Sequence, residues 1–352
     1  MEFIYEYGLF LAKSITFIIA LAVIIGLIAS AGSKNKSASE GEIEVVTLNE
    51  HYTEIQDQMK AVIHSAEQRK QAAKEAKKQK KQQKKAQRSK NKTKSEDDNK
   101  VLNNVYIVDF DGDIKASAVD SLRQEVTAIL SLATPDDEVV VKLESAGGMV
   151  HSYGLASSQL ARIKEKGIPL TVCVDKVAAS GGYMMACVAD TVCAAPFSII
   201  GSIGVVAQLP NFHRLLKKND VDFELLTAGE YKRTLTMFGE NTDKGREKFV
   251  EDLEKTHGLF KDFVQQQRPV VNIDKVSTGE IWFGTQAKEE QLIDRLITSD
   301  DYIIDKVSSA HVFSVSYRVK KNMAERLGIN MQQAIESSFS KLLSSLNVTK
   351  YF

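Results

Sequence analysis

Beyond Val101 the chain alternates short β-rich runs with stretches of helical periodicity. That rhythm restricts it to a layered βα architecture more than any other feature does. V-Y-I-V-D-F at Val105 to Phe110 reads as a strand, and Val119, Leu122, Val126, Ile129 and Leu132 follow at helical spacing. E-V-V-V-K-L at Glu138 to Leu143 is the next strand and ends in Ser145-Ala146-Gly147-Gly148. A second helical pattern runs from about Val150 to Lys164 and is stopped by Gly167 and Pro169. The third strand, P-L-T-V-C-V, leads into a turn at Ser180 and a short apolar helix through Met184, Met185 and Cys187. Sites in such folds gather at the C-terminal ends of strands, where both the glycine pair and Ser180 fall.

The first hundred residues have a different character. Ser14 to Ser33 carries no charge and is bracketed by Lys13 and Lys34. At about 1.5 Å per residue it is long enough to cross a hydrocarbon layer of roughly 30 Å. A cleaved signal peptide is the competing reading, since Ala29-Ser30-Ala31 has the small-x-small pattern. Glu2 and Glu6 make the leader non-basic, which favours an uncleaved anchor. From about Glu54 to Arg88 the chain lacks Gly and Pro and reads as a long exposed helix. Its Lys-rich part, Arg69 to Lys94, is read as a solvated spacer rather than a lipid-binding stretch, because no aromatics interleave it. Ser95 to Lys100 is a polar linker. The expected organisation is therefore an anchor (1–33), a charged helical spacer (34–100), a catalytic domain (101–299) and a C-terminal helical extension (300–352). The Lys/Arg excess leans weakly toward a cytoplasmic side for the basic tract.

Formal charge balances to zero over 352 residues only because a basic front offsets a mildly acidic remainder, so net charge gives no argument for nucleic acid. The three cysteines, Cys173, Cys187 and Cys193, sit in apolar runs and read as buried small hydrophobes. No Cys or His pair in the folded part stands at zinc-ligand spacing.

A-A-S-G-G-Y at Ala178 to Tyr183 places a hydroxyl, Ser180, between small residues and a glycine pair. A serine needs a base, and the carbonyl it attacks needs donors as it becomes an oxyanion. Gly148 and Gly181 are suited to supply backbone N–H groups, since no Cβ blocks a substrate. G-E-Y-K at Gly229 to Lys232 offers an amine that could act as base if uncharged. Tyr231, Leu235, Met237 and Phe238 could desolvate it, while Glu230 would oppose the shift. Lys176 is a rival by proximity to Ser180, and a triad through His151 or His213 is a further alternative. The residues alone also leave open a coenzyme A enzyme that uses the two amides without a nucleophile, and a non-catalytic membrane scaffold.

With these motifs together, the chain resembles the signal peptide peptidase A family of serine proteases, and most of all its short inner-membrane members. The resemblance covers roughly Val101 to Ser299 and rests on five ordered motifs. They are E-S-A-G-G-M-V at Glu144, D-K-V-A-A-S-G-G-Y at Asp175, G-S-I-G-V at Gly201, G-E-Y-K at Gly229, and T-G-E-I-W-F-G-T-Q-A with a later L-I-D from Thr278 to Asp294. It implies an α/β fold of the Clp-protease/crotonase type, with Ser180 as nucleophile and Lys232 as general base. It implies Gly148 and Gly181 N–H groups as the oxyanion hole, and no metal or organic cofactor. It further implies a homo-oligomeric bowl or ring, with the lysine able to reach a neighbouring protomer's serine. Expected substrates are signal peptides and unfolded or membrane-derived segments. The expected location is a bacterial inner membrane, with the catalytic domain facing outside the cytoplasm. Other members often have Asn-Ser-Pro-Gly-Gly where this chain has Glu144-Ser145-Ala146-Gly147-Gly148, a proline loss expected to loosen the turn. A helical pattern from about Lys320 to Leu346 could pack on a partner subunit or close the bowl.

Overall fold

The computed structural model describes residues 5–11, 13–17, 41–64 and 103–319. Residues 18–33 of the apolar run, the basic tract, the polar linker and the helical pattern beyond Lys320 lie outside the described residues. Among the described residues, no helix is long and apolar enough to cross a membrane. Ile43–Tyr317 forms one compact unit. A second unit comprises Met1–Glu42 and Arg318–Phe352, in which residues 5–11 and 13–17 are helical.

The compact unit is built on a largely parallel sheet. Strand β1 (Glu42–Thr47) lies at one edge beside β10 (His311–Arg318), followed by β2 (Asn104–Gly112), β3 (Glu138–Ser145), β4 (Leu170–Val174), β6 (Thr191–Ala194) and β9 (Arg295–Leu296). A short strand β5 (Val177–Ala179) leaves this order. It pairs in parallel with the end of β3 and with β7 (Ile199–Gly201), and β7 pairs antiparallel with β8 (Ile281–Phe283). The sequence reading ran the third strand directly into the Ser180 turn. The structure instead breaks it at Asp175-Lys176, so that β5 can join a second set of partners.

Alternation along the strands divides the core into two faces. Val139, Val141 and Leu143 of β3 point into the larger cluster, with Leu170, Val172 and Val174 of β4. Val140, Cys173 and Cys193 point the other way. All three cysteines are buried and free. On β3 the face of Val139, Val141 and Leu143 is apolar and buried, while the opposite face carries Glu138, Lys142 and Glu144 around a buried Val140. Helix α2 (Val119–Leu130) buries Val119, Leu122, Val126 and Ile129, the stripe legible in the sequence. Helix α3 (Val150–Glu165) buries Tyr153, Ala156, Leu160 and Ile163 on the same side of the sheet. Full burial of each of these aliphatic side chains is worth about 1.5–3 kcal/mol.

The second face is closed by segments outside the expected catalytic domain. Helix α9 (Ser299–Val307) buries Tyr302 and Ile303 there, and Leu48 and Tyr52 of α1 (Leu48–Ile63) pack against the same cluster. Helix α1 thus starts six residues before Glu54, and residues 43–63 and 300–317 belong to the compact unit. Asn49 is the fastener. Its side-chain amide donates to Val307 O (3.1 Å) and Ala310 O (2.9 Å) and accepts from Val312 N–H (2.8 Å). Asn49→Ala should therefore destabilise the unit by about 1–3 kcal/mol, a fall of several degrees in melting temperature. An unchanged melting curve would show that α1 is not needed at this edge.

Candidate active site

Two strand ends meet because β3 and β5 are paired. Ser145, the last residue of β3, is in register with Ala178. The turns that follow, Ala146–Gly148 and Ser180–Gly181, are therefore brought side by side. Their backbones touch: a Cβ on Gly147, which has φ +87°, would stand 2.6 Å from Gly181 N. Ser180 begins α4 (Gly181–Ala186) with φ 52° and ψ −120°, a left-handed region that non-glycine residues rarely occupy. Such a residue costs on the order of 1–3 kcal/mol and persists only where its surroundings hold it. Here its N–H donates to Gly201 O at 2.7 Å and its carbonyl accepts from Met184 N–H at 3.0 Å. The result is a hydroxyl set at the apex of a fixed turn, half-buried.

Close packing requires glycine at both candidate donors. A Cβ on Gly148 would lie 2.1 Å from Ile114 O, and one on Gly181 would lie 2.4 Å from Cγ of Tyr153. The turn has no proline, yet it is held by another device. Ser145 Oγ accepts from Gly147 N–H at 3.1 Å.

Ser180, Gly147 and Gly148 line a cavity of ≈ 600 Å³ together with Ser202, Val205 and His257. An adjoining apolar cavity of ≈ 390 Å³ shares Ser180, Gly148 and Val150 and is walled by Met184, Leu259 and Phe263. His257 was not singled out in the sequence because it has no acidic partner at a telling spacing. Its signal is register: it lies three residues before Phe260, on the buried face of α6 (Asp243–Gln267). Its Nε2 is 3.2 Å from Ile203 O, on the G-S-I-G-V segment. His151 is exposed, and neither it nor His213, the first residue of α5 (His213–Lys218), lines this cavity.

The two lysines differ sharply. Lys176 Nζ donates to both carboxylate oxygens of Glu144, at 3.0 and 2.9 Å, and lines a separate cavity with Asp111 and Asp175. The Glu144 carboxylate raises its pKa, the opposite of what a general base needs. Lys232 is exposed and lies outside the lining of both Ser180 cavities. The apolar wall expected around it is open, with Tyr231 48 % exposed and Met237 and Phe238 exposed as well. Phe238 instead packs with Phe212 and Phe223, at centroid distances of 6.1 and 5.7 Å. Glu230 is paired elsewhere, accepting from Lys244 Nζ at 2.5 Å. Lys244 holds the Glu230 carboxyl below its usual range. Among the described residues, Lys232 has no carboxylate partner. One chain therefore brings Ser180, Gly148 and Gly181 together and leaves Lys232 apart.

The chain is similar to known proteins over most of its length. Residues 2–160 match the pattern described as peptidase family S49 N-terminal, and residues 162–313 match that of peptidase family S49. A protein of Haemophilus influenzae named "Probable protease SohB" is 52% identical over 336 residues, covering 95% of this chain and 94% of that protein. Its namesake in Buchnera aphidicola subsp. Schlechtendalia chinensis is 52% identical over 309 residues, 87% of this chain and 100% of that one. The one in Buchnera aphidicola subsp. Acyrthosiphon pisum is 48% identical over 342 residues, 97% of this chain and 98% of that one.

The glycine geometry gives a direct test. Gly148→Ala and Gly181→Ala should each destabilise the fold by about 1–3 kcal/mol, because the facing atoms are backbone or a buried ring. Gly258→Ala, in α6 with nothing within 4 Å, should instead raise stability by about 0.5–1 kcal/mol. Denaturant titration of the three variants checks the contrast, and equal effects would mean that the two turns are looser than described.

Proposed function

The chain belongs to peptidase family S49, in its SohB-type branch, and from that premise we propose that it is a membrane-anchored serine endopeptidase using Ser180 and Lys232. The observation that carries the reading is Ser180 at its left-handed turn, on one cavity with the Gly147-Gly148 backbone. The architecture of the Clp-protease/crotonase type is part of this proposal.

Ser180 Oγ attacks the scissile carbonyl and gives its proton to the uncharged Lys232 amine. The carbonyl oxygen, now an oxyanion, accepts from Gly148 and Gly181 N–H groups. Lys232 returns the proton to the leaving amine. A water then attacks the acyl-enzyme, with Lys232 as base, and Ser180 is freed. With water as co-reactant, its proton passing through Lys232 to Ser180 Oγ, these steps balance and call for no metal or organic cofactor.

Lys232 must be desolvated to act this way, and in one chain it is exposed. The proposal therefore includes a homo-oligomer in which the lysine-bearing segment meets a neighbour's Ser180. The segment between Val206 and Phe238 supports that arrangement. It exposes Val206 (79 %), Leu226 (90 %), Leu215 and Phe223, more apolar surface than a solvated loop needs. Ser14–Ser33 supports an anchor in a bacterial inner membrane, and the resemblance supports a catalytic domain outside the cytoplasm. Unfolded or membrane-derived peptides, signal peptides among them, suit a hydroxyl flanked by an apolar cavity.

Ser180→Ala and Lys232→Ala should each abolish cleavage of an unstructured apolar peptide by the detergent-solubilised full chain. Mixing the two inactive variants under subunit exchange should restore part of the activity, because a mixed assembly contains intact Ser–Lys pairs across interfaces. No recovery after verified exchange would place both residues in one protomer, and full activity in either variant alone would end the assignment.

A further inference from the structure

We propose that Tyr153 is a positioning residue that fixes the spacing of the two backbone donors, Gly148 and Gly181, around Ser180. The inference rests on the mechanism above and names a residue in it that belongs to neither turn.

Tyr153 lies in the first turn of α3, fully buried, and touches both strand-end turns. Its ring stands behind Gly181, where a Cβ would come within 2.4 Å of Cγ. Its hydroxyl is 2.5 Å from Ser145 Oγ and donates to Asp113 O at 2.7 Å. The proton count then orders the chain. A phenol has one proton, and Asp113 O takes it. Ser145 must therefore be the donor to the phenol oxygen, and its own oxygen is free to accept from Gly147 N–H. The run Gly147 N–H, Ser145, Tyr153, Asp113 O has one proton per link. The acceptor competing for the serine proton is Gly112 O, longer at 3.2 Å. Burial pushes the Tyr153 phenol above its ordinary pKa, so the run keeps its protons.

The segment on the far side of Tyr153 reaches the other donor. Asp113 leads into Ile114, whose carbonyl accepts from Met149 N–H at 2.9 Å and faces Gly148. A single buried side chain thus ties three backbone segments together. Gly112 makes room for it, since a Cβ there would come within 2.6 Å of the Tyr153 hydroxyl. Donors to an oxyanion must be held to within about 0.5 Å, and a displacement of about 1 Å costs on the order of 100-fold in rate.

The test is steady-state kinetics of the full chain on an unstructured apolar peptide. Tyr153→Phe and Ser145→Ala should each lower kcat by about 10- to 100-fold while KM stays within about threefold. The double variant should fall no further than the worse single one, because both break one chain of bonds. Ser157→Ala removes a buried hydroxyl that bonds Tyr153 O at 2.9 Å but reaches neither turn. It should lower the melting temperature with kcat unchanged. Ser180→Ala is measured in the same series. If it is inactive while folded Tyr153→Phe keeps kcat within about twofold of wild type, the role of Tyr153 alone is overturned. If Tyr153→Phe does not fold, Ser145→Ala decides on the same criterion. A loss of kcat in Ser157→Ala as large as that in Tyr153→Phe would mark a general packing effect and overturn it too. Full activity in Ser180→Ala would instead remove the underlying mechanism, and this inference with it.

Discussion

The register of Ser145 with Ala178 is the contact on which the site depends. Strand β4 could have continued as a regular neighbour of β3 for its whole length. The chain instead breaks at Asp175-Lys176 and restarts as β5, which holds only the last residue of β3 and then turns to β7. The fork lets the two following turns converge until their backbones are in contact. Ser180 pays for this in φ, and its bond to Gly201 O on β7 is what keeps the turn from relaxing.

Much of that frame was legible in the chain. Val105–Phe110 and Glu138–Leu143 lie in strands, and Val119, Leu122, Val126 and Ile129 line the buried face of α2, because apolar periodicity is a local signal. The fork was not legible. V-C-V-D-K-V-A-A is a plausible single strand, and only the competition between β3, β6 and β7 for its edges divides it. The same limit hid the contribution of Glu42–Thr47 and Leu48–Ile63. Leu48–Ile63 has the composition of a solvated helix, and α1 buries no residue fully. What places it is Asn49, a single polar side chain satisfying three main-chain groups at the end of α9, the loop after it and β10, more than 250 residues away.

The candidate site separates in the same way. Ser180, Gly148 and Gly181 could be named from turn chemistry, since small residues at strand ends permit close approach of backbone to backbone. Tyr153 and His257 could not, because a buried aromatic on a helix face looks like ordinary core and a lone histidine like ordinary surface. Tyr153 is core by burial, yet its hydroxyl bonds the Ser145 side chain at the end of β3 and the Asp113 carbonyl beyond β2. Once the strand ends are known to converge, a phenol one helical turn beyond the Gly147-Gly148 turn has a clear place to reach.

The lysines show how charge decides between candidates that sequence distance cannot rank. Lys176 is near Ser180 in the chain, but Glu144 at the end of β3 holds it as a charged pair. Lys232 is far away, yet its one adjacent carboxylate, Glu230, is taken by Lys244, and Lys248 is taken by Glu251 and Asp252. The acid nearest to Lys232 in the sequence is thus matched to a different cation. An amine that must lose its proton needs that arrangement first, since a carboxylate within about 4–6 Å would favour the ammonium form whatever else surrounded it. The remaining requirement is desolvation, and the apolar side chains exposed around Lys232 are suited to supply it only when something covers them. In the proposed assembly a neighbouring copy would supply that cover and bring its own Ser180 to the amine.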